Sequence, residues 1–255
     1  MGAARFTDLR RFEQLDSTNT TLGELAAAGA PEGVVVVAAY QRAGRGRMDR
    51  RWVAPAGSSL LCSILLRPVL EPTSLQLITV MVALSARAGL LGLSRKAPEV
   101  KWPNDLLYEG RKVGGILAEA HPSAPGGRPG SCAVVAGLGI NLSFEGPEGV
   151  GGTSVRAGTG VELSADSVLA GLLAELDRRY DDLEQPGGSE RLIDEYRSTL
   201  ATLGRAVVVQ TPTGDVEGRA ETVDDRGALV VVNDDGRHTF TVGDVVHLRP
   251  GAGGH

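Results

Sequence analysis

The sequence predicts an α+β chain in two parts: a larger domain of mixed strands and helices over residues 1–202, and a small all-β domain over 203–255. Three observations predict it. Continuous β-branched runs such as Val34–Ala39 alternate with stretches of helical period such as residues 163–183. From about residue 204 the chain becomes a series of short strands separated by Gly/Asp turns, the spacing of a small antiparallel barrel. A length of 255 residues with 42% hydrophobic content also suffices for a substantial core.

Residues 5–15 predict a short strand that enters Asp16-Ser17-Thr18-Asn19. A helix is expected over Thr21–Ala28, with Glu24 three residues past Thr21 and Gly29 as its stop. Val34–Ala39 reads as a strand covered on both faces. After an Arg/Gly loop, Ser59–Leu66 reads as another. Pro68 and Pro72 break the chain before a long apolar helix at about 74–92. Val100–Trp102 and Leu106–Tyr108 read as short strands or as a strand with a turn, Glu109-Gly110 is a hairpin-type turn, and Lys112–Ala120 resumes as a strand. Residues 122–131 predict a flexible loop, Cys132–Ile140 a strand, and the glycine-rich 145–160 a mobile stretch. Helices follow at 163–183, capped by Ser164, and at about 189–200. The last strands are Val207–Gln210, Glu217–Val223, Ala228–Val232 and His238–Val242, before a disordered tail at Pro250–His255.

Composition narrows the function. The net charge of −5 argues against a nucleic-acid backbone or an anionic membrane as main partner. Against that background the arginines of residues 42–51 stand out. Leu75–Leu93 carries Gln76, Thr79, Ser85 and Arg87, which suits a buried helix better than a membrane span. Asp8, Glu13 and Asp16 interrupt any signal-peptide pattern. Cys62 and Cys132 sit in apolar runs and are expected to be buried free thiols in a reducing compartment. The expected location is the cytoplasm. His121, His238, His247 and His255 do not cluster, so no metal ligands are assigned.

The chemistry concentrates in two segments. Gln41-Arg42-Ala43-Gly44-Arg45-Gly46-Arg47 sets cations in permissive backbone. Lys101-Trp102-Pro103-Asn104-Asp105, with Lys112 and Gly114-Gly115 after it, adds lysines, an amide and an acid beside bare glycine. Such a set suits a site that holds two anions against each other.

Five motifs then carry a family resemblance. Ser17-Thr18-Asn19, Gly44-Arg45-Gly46-Arg47 with Trp52, Lys101–Asp105, Lys112-Val113-Gly114-Gly115-Ile116 and Gly137-Leu138-Gly139-Ile140-Asn141 match biotin protein ligases in order and spacing. The chain resembles that family from about residue 10 to its end. The resemblance implies a mixed-sheet catalytic domain related to class II tRNA synthetases, followed by an SH3-like barrel. It implies that biotin and ATP form biotinyl-5′-AMP with release of pyrophosphate. Biotin then passes to a lysine of a biotin carboxyl carrier domain of acyl-CoA carboxylases. Mg²⁺ is expected with the ATP.

On this reading Lys112 bridges the biotin carboxyl and the α-phosphate, while Arg45 and Arg47 bind oxygens bidentately. Ser17, Thr18, Asn19 and Gln41 meet the biotin ring, and Gly44, Gly114 and Gly115 let ligand lie against backbone. Trp52 stacks on adenine, Asn141 bonds the nucleotide, Asn104 helps hold phosphate or metal, and Asp105 orients or deprotonates the acceptor lysine. Some members of the family carry a helix-turn-helix domain ahead of the catalytic core; with the Ser-Thr-Asn motif beginning at residue 17 none is expected here, and no DNA-binding role is expected. Asp49 is a departure, and it is expected to pair with a neighbouring arginine.

Blander readings exist for each motif: a helix cap at Ser17-Thr18-Asn19, a solvated Arg/Gly turn, packing tryptophans, and Lys112 as a strand-edge lysine. They would have to coincide five times over. The rival functions are lipoate or octanoate ligation on the same fold, RNA binding through the Arg/Gly loop and the barrel, and sequestration of biotin without chemistry.

Overall fold

A computed structural model of the chain describes residues 4–69, 74–121, 132–149, 151–211, 214–241 and 243–248. The loop expected at 122–131 and the tail expected at 250–255 lie outside the described residues.

Apolar alternation builds the main sheet. Strands β1 (Leu9–Leu15), β2 (Val35–Gln41), β3 (Ser59–Leu66), β4 (Glu99–Lys101), β5 (Asp105–Tyr108), β6 (Arg111–His121) and β7 (Ala133–Asn141) form seven strands in the order β1-β2-β3-β7-β6-β5-β4. β1 and β2 run parallel and every other neighbouring pair is antiparallel, so the sheet is mixed. Every residue of β3 and β7 is buried, as expected of largely apolar central strands, and Ser59, Ser63 and Asn141 are the polar residues buried with them. Alternate residues serve opposite faces. Val35, Val37, Cys62 and Ile64 belong to one apolar cluster, whereas Val34, Val36 and Leu65 belong to another with Leu22 and Ala26 of helix α1 (Thr18–Ala27).

The larger cluster is covered by α2 (Gln76–Ser94), α4 (Ala165–Leu183) and α5 (Gly188–Thr199). α2 and α4 cross closely at Gly89 and Gly171, where a Cβ on Gly89 would stand 2.8 Å from the backbone of Gly171. Among the described residues α2 is the one helix long and apolar enough to cross a membrane, but Ile78, Met81 and Leu84 are fully buried in this core.

Three expectations change. α1 begins at Thr18 rather than Thr21, because the amide of Thr21 already donates to Ser17 O in the first helical turn. Residues 145–160 are not one mobile stretch: Ser154 caps a short helix, α3 (Val155–Thr159), by accepting from the amide of Ala157. Cys62 is buried, and burial pushes its thiol up to about 12. Cys132, expected to be buried too, is only half-buried.

The second sheet holds β8 (Ala206–Thr211), β9 (Gly214–Val223), β10 (Leu229–Asn233), β11 (Gly236–Phe240) and β12 (Asp244–His247), ordered β11-β10-β9-β8-β12 and wholly antiparallel. β12 is not evident in the sequence, because only four residues separate a Gly/Asp turn from the end of the chain's apolar pattern. The core does not stop at residue 202: Val207, Val209, Leu229 and Val245 share one cluster with Met81 and Ile193. Trp102 seals this join. Its Nε1 donates to Gly227 O at 3.0 Å and its backbone amide donates to Thr202 Oγ1 at 3.1 Å.

Candidate functional site

Where β5, β6 and β7 meet the Arg/Gly loop and β12, the structure opens a cavity of about 590 Å³. Ser17, Thr18, Asn19, Gln41, Arg45, Arg47, Trp52, Asn104, Asp105, Lys112, Gly115 and Asn141 all line it. Gly44 and Gly114 do not. Gly44 lies behind Trp52, whose amide donates to Gly44 O at 3.0 Å, and a Cβ on Gly114 would crowd Gly139 O at 2.9 Å. Both glycines permit close backbone packing behind the wall instead of forming it.

One end of the cavity is polar and neutral. Thr18 donates to Gln41 Oε1 from its amide at 2.7 Å and from its hydroxyl at 3.0 Å. Ser63, in the middle of β3, has its hydroxyl 2.7 Å from Thr18 Oγ1 and 2.6 Å from Asn19 Oδ1. Ser17 occupies the N-cap position of α1, yet its side chain makes no capping bond. A buried hydroxyl left out of the cap is available to a ligand, so capping does not account for this serine. Gly137 is bare for a steric reason: a Cβ there would overlap the Asn19 side chain.

The other end is cationic. In a regular strand Lys112 and Gly115 would face opposite sides, but the β5–β6 register shifts between Leu106 and Leu107, and the bulge puts both on one side. A Cβ on Gly115 would stand 3.3 Å from Lys112 Nζ. Lys112 Nζ lies 2.5 Å from Asp105 Oδ1, although that oxygen has no aligned hydrogen bond, so the contact is ionic. At Lys112 one side of β6 pairs with Leu107 of β5 and the other bridges to Gly152, with the Thr153 amide donating to Lys112 O at 2.8 Å, so Lys112 is not an edge lysine. Asn104 donates to Ile116 O at 2.6 Å, and its Oδ1 lies 3.5 Å from an Arg47 nitrogen.

The loop is ordered by its own backbone. Gly46 donates to Arg50 O at 2.7 Å and Trp52 returns to Gly44, with Met48 and Asp49 at positive φ. Burial pulls Arg47 below the usual arginine range, while Asp244 and Asp105 pull it back up. It remains a cation at working pH. The Trp52 ring packs on the bare Cα of Gly139, and its Nε1 is buried without a partner. Asn141 is engaged at both ends of its amide, by Ser59 at 3.3 Å and Thr153 at 3.1 Å. His247, also on the wall, is driven down to about 4 by burial and by Lys101 and Arg205, so it is neutral at pH 7.

Three contributors escaped the sequence reading: Ser63, Glu119 and Asp244. The expected partner of the loop arginines, Asp49, makes no ion pair among the described residues. Asp244 pairs with Arg50 in its place, and Glu119 holds Arg45 through both oxygens at 2.7 and 3.2 Å. A carboxylate inside the mostly apolar β6 was the available signal for Glu119. Ser63 and Asp244 carried none. Among the described residues no three His, Cys, Asp or Glu side chains converge as a metal cage.

The chain is similar to known proteins over most of its length. Residues 11–141 match the Biotin/lipoate A/B protein ligase family, and residues 202–248 match the Biotin protein ligase C terminal domain. A Biotin--[acetyl-CoA-carboxylase] ligase of Mycobacterium tuberculosis is 36% identical over 247 residues, which cover 92% of this chain and 87% of that one. One of the same name from Paracoccus denitrificans is 33% identical over 90% of this chain and 96% of its own. A solved structure described as biotin protein ligase from Aquifex aeolicus in complex with biotin and ATP is 26% identical, with a TM-score of 0.81 over 96% of this chain and 100% of that one.

Proposed function

We propose, from the premise that this chain belongs to the biotin/lipoate A/B protein ligase family, that it is an ATP-dependent biotin protein ligase. One observation carries the reading beyond family membership: Arg45, Arg47 and Lys112 reach a single cavity whose other end is neutral, polar and buried. An organic acid with a polar, uncharged ring fits that division.

The biotin carboxylate attacks the α-phosphorus of ATP, a P–O bond to pyrophosphate breaks, and biotinyl-5′-AMP forms. Carboxylate and triphosphate repel each other, so cations fixed between them lower the barrier. Lys112 leaves Asp105 to lie between the carboxyl and the α-phosphate, with Arg45 and Arg47 on neighbouring oxygens. Asp105, released from its partner, then accepts a proton from the acceptor lysine as that amine attacks the acyl carbon and AMP departs. Ser17, Thr18, Asn19 and Gln41 satisfy the ureido group of the ring, Gly115 gives the acyl chain room, and Trp52 and Asn141 border the nucleotide. Gly44 and Gly114 act from behind the wall.

Mg²⁺ enters with the ATP phosphates, whose charge it offsets. Asn104 Oδ1, at the cationic end of the cavity, would help hold it there. The class II synthetase-like character of the main sheet, an SH3-like barrel beyond residue 202, a cytoplasmic location, and a carrier domain of acyl-CoA carboxylase as acceptor belong to the same proposal.

Purified protein with biotin should exchange labelled pyrophosphate into ATP, then move biotin onto a carrier-domain lysine. Exchange with lipoate and none with biotin would reverse the choice of substrate. Gly137→Ala should weaken biotin binding about tenfold or more, because overpacking of about 1–3 kcal/mol falls on Asn19. Calorimetric titration with biotin checks this, and an unchanged affinity would remove Asn19 from the ring pocket.

A further inference from the structure

The polar end of the cavity and the arginine loop are joined by an unbroken run of hydrogen bonds that passes through one carboxylate. Gln41 bonds Thr18, Ser63 bonds both Thr18 and Asn19, and Asn19 Nδ2 donates to Glu119 Oε2 at 2.8 Å. The same oxygen, with Oε1, receives the Arg45 guanidinium. Asn19 is further pinned by Leu117 O at 3.1 Å and by the absence of a side chain at Gly137. Glu119 therefore has one fixed partner, on helix and sheet, and one partner on a loop.

Glu119 does not line the main cavity. It lines a smaller hollow beside it, and Arg45 borders both. We propose that Glu119 is a positioning residue that anchors Arg45 at the cavity mouth and couples the ring pocket to the arginine loop through Asn19. Arg45 is half-exposed on a glycine-flanked segment, and a lone guanidinium there would wander over many rotamers. A bidentate carboxylate on a strand removes that freedom before the substrate arrives, which is worth more to a reaction than to a fold. An exposed ion pair contributes little to stability, so its purpose must be sought in placement. A ligand that fixes Asn19 through the ring pocket also fixes the carboxylate that holds Arg45. Ring recognition and loop order then rise together.

The kinetic part rests on the ligase reading above, whereas the anchoring part does not. Glu119→Gln keeps an oxygen for Asn19 and removes the charge facing Arg45. In ligand-free protein, trypsin should cut within residues 44–52 about fivefold faster or more than in the unaltered chain, as expected of a loop released from its anchor. Biotin-dependent pyrophosphate exchange should lose about tenfold in kcat/KM, carried by the KM for biotin, with the KM for ATP unchanged. Thermal unfolding should move by less than about 2 °C. Glu119→Asp should recover part of both losses. Arg45→Ala combined with Glu119→Gln should be no worse than Arg45→Ala alone, since the two act as one unit. Trypsin rates equal to those of the unaltered protein, or kinetic losses that simply multiply in the double variant, would overturn the proposal. If the unaltered protein showed no exchange with biotin, the ligase reading would fall, and the trypsin comparison would decide the anchoring alone.

Discussion

Lys112→Ala should abolish most adenylate formation, with pyrophosphate exchange falling about 10²–10³-fold, while the folded state loses no more than about 1 kcal/mol. The asymmetry follows from where the lysine stands. Its side chain is 40% exposed and touches one acid, Asp105, so little packing depends on it. Yet its amine occupies the position that the β-bulge turns toward the cavity, beside the bare backbone of Gly115. Lys101 borders the same cavity from the end of β4, but the amine that stands against Gly115 and Asp105 is that of Lys112. Exchange kinetics and urea unfolding on the same preparation separate the two effects. Near-normal exchange would remove Lys112 from the reaction, and a loss of stability equal to the loss of rate would make its role structural.

Trp102→Ala should do the reverse. Truncation of a fully buried tryptophan costs about 3–5 kcal/mol, and the lost bond to Gly227 adds about 1 kcal/mol from a stranded carbonyl. The damage falls at the join between the sheets, where Trp102 meets Thr202 and Gly227. A small domain stripped of this cover would expose Ile193 and Val80 beneath Gly227. Unfolding in urea should therefore show a much lower midpoint, with a broadened or divided transition. A shift under about 1 kcal/mol would mean that the two sheets do not depend on this contact.

These two residues stand ten positions apart in related motifs and illustrate how much was legible. Trp102 belongs to the quoted motif, and its bland reading as packing is the one the structure supports. Lys112 was weighed as an edge lysine, and the structure removes that reading, since β5 flanks it on one side and Gly152 bridges to it on the other. Periodicity located most elements within two or three residues, including Ser59–Leu66 to the residue. It missed β12 and α3, which are too short to establish a period. The parallel pairing of β1 with β2 is a matter of topology that no local pattern encodes.

The ion pairs show the limit most clearly. Asp49 was the natural partner for the loop arginines because it is their neighbour in sequence. The structure pairs Arg50 with Asp244, far along the chain, and Arg45 with Glu119. Positive φ at Met48 and Asp49 turns the tip of the loop on itself and leaves the arginines to reach outward.

By itself the sequence determined the chemical inventory and the local folds. Side-chain type, apolar period and turn residues act over a few bonds, so strands, helices and the cationic motifs are written where they stand. The tertiary structure alone decided which carboxylate faces which cation, which strand is shielded, and which face Lys112 presents. Those outcomes depend on through-space distances of a few ångströms between segments remote in the chain, and a single bulge inverts them.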